Sequence, residues 1–278
     1  MHVNPMEVGV MFWAGQDPYE TVRELKALGV RCGQIGIPGD MPLAGAAALW
    51  KPVLARENFA IATVFAAYSG ESYANIPTVR DTVGFIPPAT RSEREQRTME
   101  VSDFAAEIGA PGIATHIGFV PEDPAAEDYL VVREMVRRVS DHAARHRQSF
   151  ALETGQEPAL VLREFLLAVN RPNLRINFDP ANMILYGTGD PIKALDVLAP
   201  YVVTVHCKDG DWPPRAIKDA LGAEKPLGEG SVGIDRFINK LKEIGYQGPL
   251  TIEREVSDPV ARRRDIAAAV DLLRRLSA

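Results

Sequence analysis

The chain has 278 residues, 46% hydrophobic and 24% charged, which is the balance of a core-forming protein and excludes extended disorder. Its 31 Lys and Arg residues against 37 Asp and Glu residues give a formal net charge of −6, so the chain as a whole is not attracted to nucleic acid or to an anionic membrane. Its two cysteines, Cys32 and Cys207, are too few for a disulfide scaffold or a Cys-rich zinc site.

Short apolar runs alternate with longer helical segments along the chain. The predicted strands are residues 8–12, 30–37, 61–67, 112–117, 149–153, 174–179, 202–206 and 250–253. The predicted helices are residues 21–28, 44–58, 90–109, 126–147, 158–169, 191–198, 234–244 and 259–276. Pro52 is expected to interrupt or restart the second helix. Residues 68–88 and 208–233 are predicted to be long connections.

Eight strands that each precede a helix predict a parallel sheet, and eight such repeats favour a closed barrel over an open doubly wound sheet. The turn after the first strand reads WAGQDP, which has neither the glycine spacing of a dinucleotide site nor the lysine of a P-loop. We find no domain boundary. We therefore predict a single (β/α)8 TIM barrel over residues 1–278, with residues 208–233 as a long loop on its catalytic face.

Four consecutive strands of this barrel end in a polar residue: Glu153 after FAL, Asp179 after INF, His206 after VTV and Glu253 after LTI. The carboxyl ends of parallel barrel strands open on one face, with neighbouring strands about 4.8 Å apart, so these side chains should converge. Three close carboxylates repel one another, and a divalent cation removes that repulsion. Oxygen ligands with one nitrogen favour Mn²⁺, Mg²⁺ or Co²⁺, and Zn²⁺ is also compatible. For any single carboxylate the alternative is a helix cap or a loop residue, and Asp179 before Pro180 is the most cap-like.

Five segments carry a resemblance to a known family: ALETGQE (151–157), NFDPANM (177–183), VHCKD (205–209), PLGEGSVGID (226–235) and TIERE (251–255). In this order they resemble the xylose isomerase-like barrels, which include sugar and sugar-phosphate isomerases and epimerases, tagatose 3-epimerase, hydroxypyruvate isomerase and inosose dehydratase. The resemblance covers essentially the whole chain. It implies that Glu153, Asp179, His206 and Glu253 bind one divalent metal ion, and that Glu153 and Glu253 form an acid/base pair.

The implied chemistry fits these residue types. Removing a proton next to a carbonyl group requires a polarised carbonyl oxygen, which a metal provides as a Lewis acid, and a stabilised enediolate. Inverting the carbon requires one group to take the proton and another to return it from the opposite face. The resemblance therefore implies a metal-dependent sugar isomerase or epimerase with a small carbohydrate substrate. The lack of a glycine cluster near the eighth strand favours an unphosphorylated sugar.

Three further residues are predicted to contact the substrate. His116 ends the fourth predicted strand on the same rim, and Lys208 lies two residues after His206. Asn182 stands three residues after Asp179, where many members of the resembled family have a histidine. The alternative for His116 is a buried histidine with satisfied hydrogen bonds, and for Lys208 it is an ion pair with a neighbouring aspartate, Asp209 or Asp211.

Other functions remain open at this point. Asn182 and Lys208 are compatible with a dehydratase or lyase that uses the same metal and glutamates on a keto or cyclic sugar. A noncatalytic sugar-binding barrel is disfavoured by the complete set of candidate ligands, and a nuclease by the acidic balance and the lack of further histidines. His142 and His146 have the i, i+4 spacing of metal ligands, but the Arg-rich run DHAARHRQ predicts a solvated helix face.

The N-terminal residues MHVNPMEVGVMF lack a basic segment followed by a long apolar stretch, which predicts that there is no signal peptide. No apolar run approaches the roughly 20 residues that a membrane span requires. We therefore expect a cytoplasmic protein whose partner is a small carbohydrate rather than nucleic acid or a membrane. The sequence leaves open whether the protein forms a homo-oligomer.

Overall fold

A computed structural model describes residues 3–277 of the chain. The strands are β1 Val8–Trp13, β2 Cys32–Ile37, β3 Ala60–Ala66, β4 Gly112–Thr115, β5 Ser149–Glu153, β6 Leu174–Phe178, β7 Val202–Cys207, β8 Asp209–Asp211, β9 Ala223–Lys225 and β10 Leu250–Ile252. The α-helices are α1 Pro18–Ala27, α2 Ala46–Glu57, α3 Ile76–Thr82, α4 Arg91–Ile108, α5 Glu127–Arg145, α6 Ala159–Val169, α7 Pro180–Tyr186, α8 Pro191–Leu198, α9 Ile234–Glu243 and α10 Pro259–Ser277.

Eight of the strands close into a parallel barrel in the order β1-β10-β7-β6-β5-β4-β3-β2. The predicted (β/α)8 barrel is therefore confirmed. Strands β2 and β3 are buried at every position, as expected where helices cover a parallel sheet from outside and side chains fill it from inside. Because every strand of the barrel points the same way, all their carboxyl ends lie on one rim.

The barrel has an apolar layer between strands and helices and a much smaller one inside. The inner layer consists of Met11, Phe65, Ala114 and Ala151, against which Val203 packs. Two of these side chains are alanines, so the interior has space beside them for polar groups. A hydrogen bond of 3.0 Å between Gln34 on β2 and Asn177 on β6 uses that space. Since β2 and β6 lie on opposite sides of the barrel, this bond crosses its interior.

Three local predictions were wrong. The connection at 68–88 contains α3, which begins where Asn75 caps the backbone N–H of Thr78. The loop at 208–233 contains the antiparallel hairpin of β8 and β9. The segment after β6, for which no element was predicted, forms α7. Pro52 neither interrupts nor restarts a helix, because α2 continues through it. Among the described residues, no helix is both long and apolar enough to cross a membrane.

Candidate active site

The four polar residues at the strand ends come together as predicted. Glu153 ends β5, Asp179 follows β6, His206 lies in β7 and Glu253 follows β10. Their potential ligand atoms all lie within 4.8 Å of one another. The Nδ1 atom of His206 is 2.7 Å from a Glu153 oxygen, 3.2 Å from a Glu253 oxygen and 3.7 Å from Oδ2 of Asp179. Since these side chains come from four neighbouring barrel strands, the closure of the barrel is what positions them.

Asp179 is both a helix cap and a member of this cluster. Its Oδ1 atom accepts a hydrogen bond of 3.0 Å from the backbone N–H of Asn182 in the first turn of α7. Its Oδ2 atom is buried and has no hydrogen-bond partner. A buried carboxylate oxygen without a partner is costly, and a cation is the group that most directly removes the cost. The cap interpretation and the ligand interpretation therefore apply to different oxygens of one carboxylate.

The charges in the cluster are strongly coupled. Burial raises the pKa of Glu153, but His116 and His206 more than offset this and lower it to about 2. Burial also opposes ionisation of Glu253, yet His206 and Lys208 hold its pKa well below the usual range. The pKa of His206 is lowered by burial and raised by Glu253 and Glu153, with a net rise well above its usual value. Burial raises the pKa of Asp179 to about 6. The imidazole thus supplies positive charge among three carboxylates.

A hydrogen-bond network inside the barrel orients the ring of His206, and no pattern in the sequence indicates this network. The Oδ1 atom of Asn177 accepts from Thr204 at 2.7 Å and from the Nε2 amide of Gln34 at 3.0 Å. The Oε1 atom of Gln34 is thereby turned toward His206, whose Nε2–H donates to it at 3.1 Å. A proton held on Nε2 directs the Nδ1 atom toward the three carboxylates. Histidines that bind metals usually have such an outer acceptor.

Asn182 and His116, two of the predicted substrate contacts, surround Glu153. The Nε2 atom of His116 is 3.0 Å from Glu153 Oε2, and the side-chain amide of Asn182 donates to Glu153 Oε1 at 3.3 Å. Burial lowers the pKa of His116, but Glu153 raises it to about 9. Gly155 lets α7 lie close enough for Asn182 to reach Glu153, since a Cβ atom at position 155 would lie 2.7 Å from Cβ of Asn182.

Lys208, the third predicted substrate contact, lines the same cavity. Its ion-pair partners are Glu253 and Glu255 rather than Asp209 or Asp211, the alternatives considered from sequence. Its Nζ atom donates to Glu253 at 3.1 Å and also pairs with Glu255. The side chain is buried, which lowers its pKa, but Glu253 and Glu255 raise it well above the usual value. Lys208 therefore places a positive charge directly beside Glu253.

Asp209 has a structural function instead. Its Oδ1 atom accepts from the backbone N–H groups of Gly210 and Val232, and its Oδ2 atom from those of Gly228 and Gly230. A Cβ atom at Gly230 would come within 2.3 Å of this carboxylate, so glycine is required there. The segments VHCKD and PLGEGSVGID therefore meet through one buried carboxylate, which fixes the loop after β7 over the rim.

A cavity of about 280 Å³ opens above the cluster. Of the four clustered residues, Glu153 and Glu253 line it, whereas Asp179 and His206 lie beneath. The remaining wall combines aromatic and aliphatic side chains with polar groups and includes no arginine; its members are Met11, Trp13, Phe65, Ala67, Glu71, Tyr73, His116, Asn182, Leu185, Tyr186, Lys208, Leu221, Gly222, Glu224 and Glu255. Its size suits a small ligand. The sequence did not indicate Tyr73 or Glu71, which lie in the connection between β3 and α3.

The four clustered residues fit a divalent cation. They bring three carboxylates and one imidazole to a spacing at which one ion can contact all of them, and they include an unpartnered buried oxygen on Asp179. The predominance of oxygen favours a hard or intermediate ion such as Mg²⁺, Mn²⁺ or Co²⁺.

Comparison with known proteins places this chain in a family. A model of the xylose isomerase-like TIM barrel family matches residues 22–276. The structure of a xylose isomerase domain protein from Planctomyces limnophilus superposes with a TM-score of 0.91 at 42% identity, covering 98% of this chain and 97% of that one. A D-allulose 3-epimerase from Methylomonas sp. shares the fold, with a TM-score of 0.71 at 18% identity over 99% of both chains. A ketose 3-epimerase from Arthrobacter globiformis is 27% identical over 189 residues. The matched region covers 63% of this chain and 60% of the length of that epimerase.

Proposed function

The chain belongs to the xylose isomerase-like TIM barrel family, and we propose that it is a divalent-metal-dependent isomerase or epimerase that moves a proton next to the carbonyl group of a sugar. One observation carries the proposal. Of the four residues that fit a metal ion, the two glutamates alone line the cavity. The similarity to a ketose 3-epimerase supports the same class of reaction.

We assign the proton transfers to Glu153 and Glu253. Each has its pKa held low by neighbouring positive groups, so each is available as a carboxylate that can take a proton from carbon. A metal ion bound to the four residues would polarise the substrate carbonyl as a Lewis acid. Glu253 takes the proton from one side of the carbon, and Glu153 passes a proton that it receives from the protonated His116 beside it to the other side of the carbon or to the neighbouring carbon.

The surrounding residues prepare these two carboxylates. Asn182 and His116 bond to opposite oxygens of Glu153, which fixes its orientation and gives it a protonated neighbour. Lys208 keeps Glu253 ionised until the substrate arrives. The aromatic side chains of Trp13 and Tyr73 at the wall of the cavity offer flat apolar surfaces to the C–H face of a sugar.

The charges of the cavity favour a neutral, unphosphorylated sugar. Glu71, Glu224 and Glu255 line it in addition to the two candidate catalytic glutamates. The ammonium group of Lys208 is already paired with Glu253 and Glu255. A phosphate group would therefore meet more negative than unpaired positive charge, and no arginine of the wall is available to bind it.

Lys208 favours a second candidate function, a dehydratase acting on a keto or cyclic sugar. After Glu253 has removed a proton from carbon, the nearby ammonium group can donate a proton to the hydroxyl group that departs from the adjacent carbon as water. The bonds broken are one C–H and one C–O, and a carbon–carbon double bond forms. This chemistry uses the same metal and the same first step.

Product analysis in deuterated water distinguishes these functions. The chain, loaded in turn with Mg²⁺, Mn²⁺ and Co²⁺, is incubated with neutral ketoses, aldoses and cyclic keto-polyols. An isomerase or epimerase gives a product of the same formula with deuterium at the reacting carbon, whereas a dehydratase gives one lighter by a molecule of water. Glu253→Gln should reduce the rate by about two to four decades, the usual contribution of a positioned acid/base group. Full activity of that variant would refute the proton-transfer assignment.

A further inference from the structure

A second group of metal-ligating side chains lies on the outer wall of the barrel. Asp103 of α4 lies between His142 of α5 and His146, the residue that follows the last turn of α5. The Nε2 atoms of the two histidines are 2.7 Å and 2.8 Å from the same oxygen, Oδ1 of Asp103. The two imidazole rings are 5.6 Å apart between centroids. Two nitrogen donors and one carboxylate therefore converge, with all three potential ligand atoms within 4.8 Å of one another.

The group lies at the end of the barrel opposite the candidate active site. Helix α5 ends at Arg145, immediately before β5 begins at Ser149, so His142 and His146 lie near the amino end of that strand. Asp103 likewise lies in the second half of α4, which leads to the start of β4. Residues at this end of a TIM barrel serve stability more often than catalysis.

The chemistry of the three side chains is that of a site for a late first-row metal. Partial burial raises the pKa of Asp103, but hydrogen bonds from His142 and His146 more than offset it, so the net pKa is lowered and the carboxylate is charged at neutral pH. Imidazole nitrogens at i and i+4 of a helix share one face, and a third donor from another helix gives the three protein ligands common at zinc sites. The half-exposed Asp103 leaves an approach for the ion and a position for water.

Two neighbouring charges on α5 are paired with other residues. Arg138, one turn before His142, is paired with Glu95 of α4. Asp141 is paired with Arg171. The two histidines thus have Asp103 as their shared partner, and a cation inserted among the three would replace two weak surface contacts with metal–ligand bonds.

We propose that Asp103, His142 and His146 form a second metal site, selective for Zn²⁺ or a similar late first-row divalent ion, which links α4 to α5. The oxygen-rich cluster inside the barrel and this nitrogen-rich group favour different ions, in keeping with the preference of imidazole for zinc, copper and nickel. The proposal is independent of the function assigned to the barrel cavity.

Zinc titration of the full chain tests the proposal. The protein is treated with a chelator, and calorimetry gives the number of zinc ions bound by the wild type, by the double variant His142→Gln/His146→Gln and by Asp141→Asn. The last variant is a matched control, because it removes a neighbouring ion pair from the same helix and leaves all three proposed ligands in place. We expect the double variant to bind one equivalent of zinc fewer than the other two proteins.

A thermal measurement separates ligation from a purely structural role of the histidines. Zinc should raise the melting temperature of the wild type and of Asp141→Asn more than that of the double variant. Equal zinc stoichiometry and equal thermal shifts in all three proteins would overturn the proposal. If the double variant does not fold, Asp103→Asn provides the same comparison, because it retains both histidines and removes only the charged ligand.

Discussion

Replacing Gln34 with leucine should weaken metal binding although Gln34 is not itself a candidate ligand. The side chain is completely buried on β2, and its carbonyl oxygen accepts the proton on Nε2 of His206 at 3.1 Å. Leucine has a similar size and no acceptor. In the variant, the remaining partner of Nε2 is the side-chain amide of Asn177 at 3.3 Å, which is a donor. The neutral ring, which is the form that binds a metal ion, is then favoured with its proton on Nδ1, the atom that faces the carboxylates.

The magnitude follows from these contacts. Loss of an outer hydrogen bond to a metal-binding histidine typically lowers metal affinity about 10- to 100-fold. This corresponds to about 1.4–2.8 kcal/mol. Because Asn177 also loses a donor to its Oδ1 atom, we expect the free energy of unfolding to fall by about 1–3 kcal/mol.

Titration calorimetry with Mn²⁺ measures the affinity, and urea denaturation measures the stability. Thr251→Val is the matched control: Thr251 is buried one strand away, beside His206 in the register, and its hydroxyl group has no hydrogen-bond partner. That variant should bind the metal like the wild type. Manganese affinity that is the same in Gln34→Leu as in Thr251→Val would refute the orienting role of Gln34. If the wild type binds no divalent ion, the proposed metal site itself is refuted.

Three further predictions concern single carboxylates. Asp179→Asn should weaken metal binding and activity together, and retention of both would remove Asp179 from the site. Burial raises the pKa of Glu157 from 4.5 to about 7, so the stability that its protonated form provides at low pH is lost as the pH rises from about 4.5 to 7. Glu157→Gln should therefore unfold like the wild type near pH 4.5 and be up to about 3 kcal/mol more stable at pH 8 by urea denaturation, and a difference independent of pH would contradict this reasoning. Asp209→Asn turns an N–H group toward backbone donors and should cost about 1–3 kcal/mol of stability, again measured in urea, with little change in metal affinity; unchanged stability would show that Asp209 does not hold the loop.

The barrel and the cluster could be predicted because both depend on regular features of the chain. Alternating strands and helices fix the direction of every strand, and that direction brings Glu153 and Glu253 to one rim although the chain separates them widely. The short helices were harder. Seven residues in α3 and in α7 are too few to show a helical period, although the Asp179–Pro180 pair is a recognisable start of a helix.

Contacts between distant residues could not be predicted from one sequence. Gln34 lies in a glycine-rich strand, and its partner Asn177 is 143 positions away, so neither residue has a local sign of the bond that joins them. The strands β8 and β9 have three residues each, two of them charged, and exist because they pair with one another. The pairing of Lys208 with Glu253 and Glu255 likewise follows from the shape of the rim.

The anchoring of the loop by Asp209 divides the chain after β7 into two parts that should tolerate substitution differently. On one side of the anchor lies His206, whose position is set by the barrel. On the other side lies the outer part of the hairpin, where Leu221, Gly222 and Glu224 face the cavity and the backbone carbonyl of Asp219 accepts a hydrogen bond from the N–H of Ile76 at the start of α3. We therefore expect exchanges within residues 212–221 to alter the selectivity of the proposed sugar site while the candidate ligands and glutamates keep their places; Gly222 is excluded because a Cβ atom there would lie 2.0 Å from the backbone oxygen of Asp211. Libraries confined to that segment are therefore where a search for altered substrate selectivity should begin.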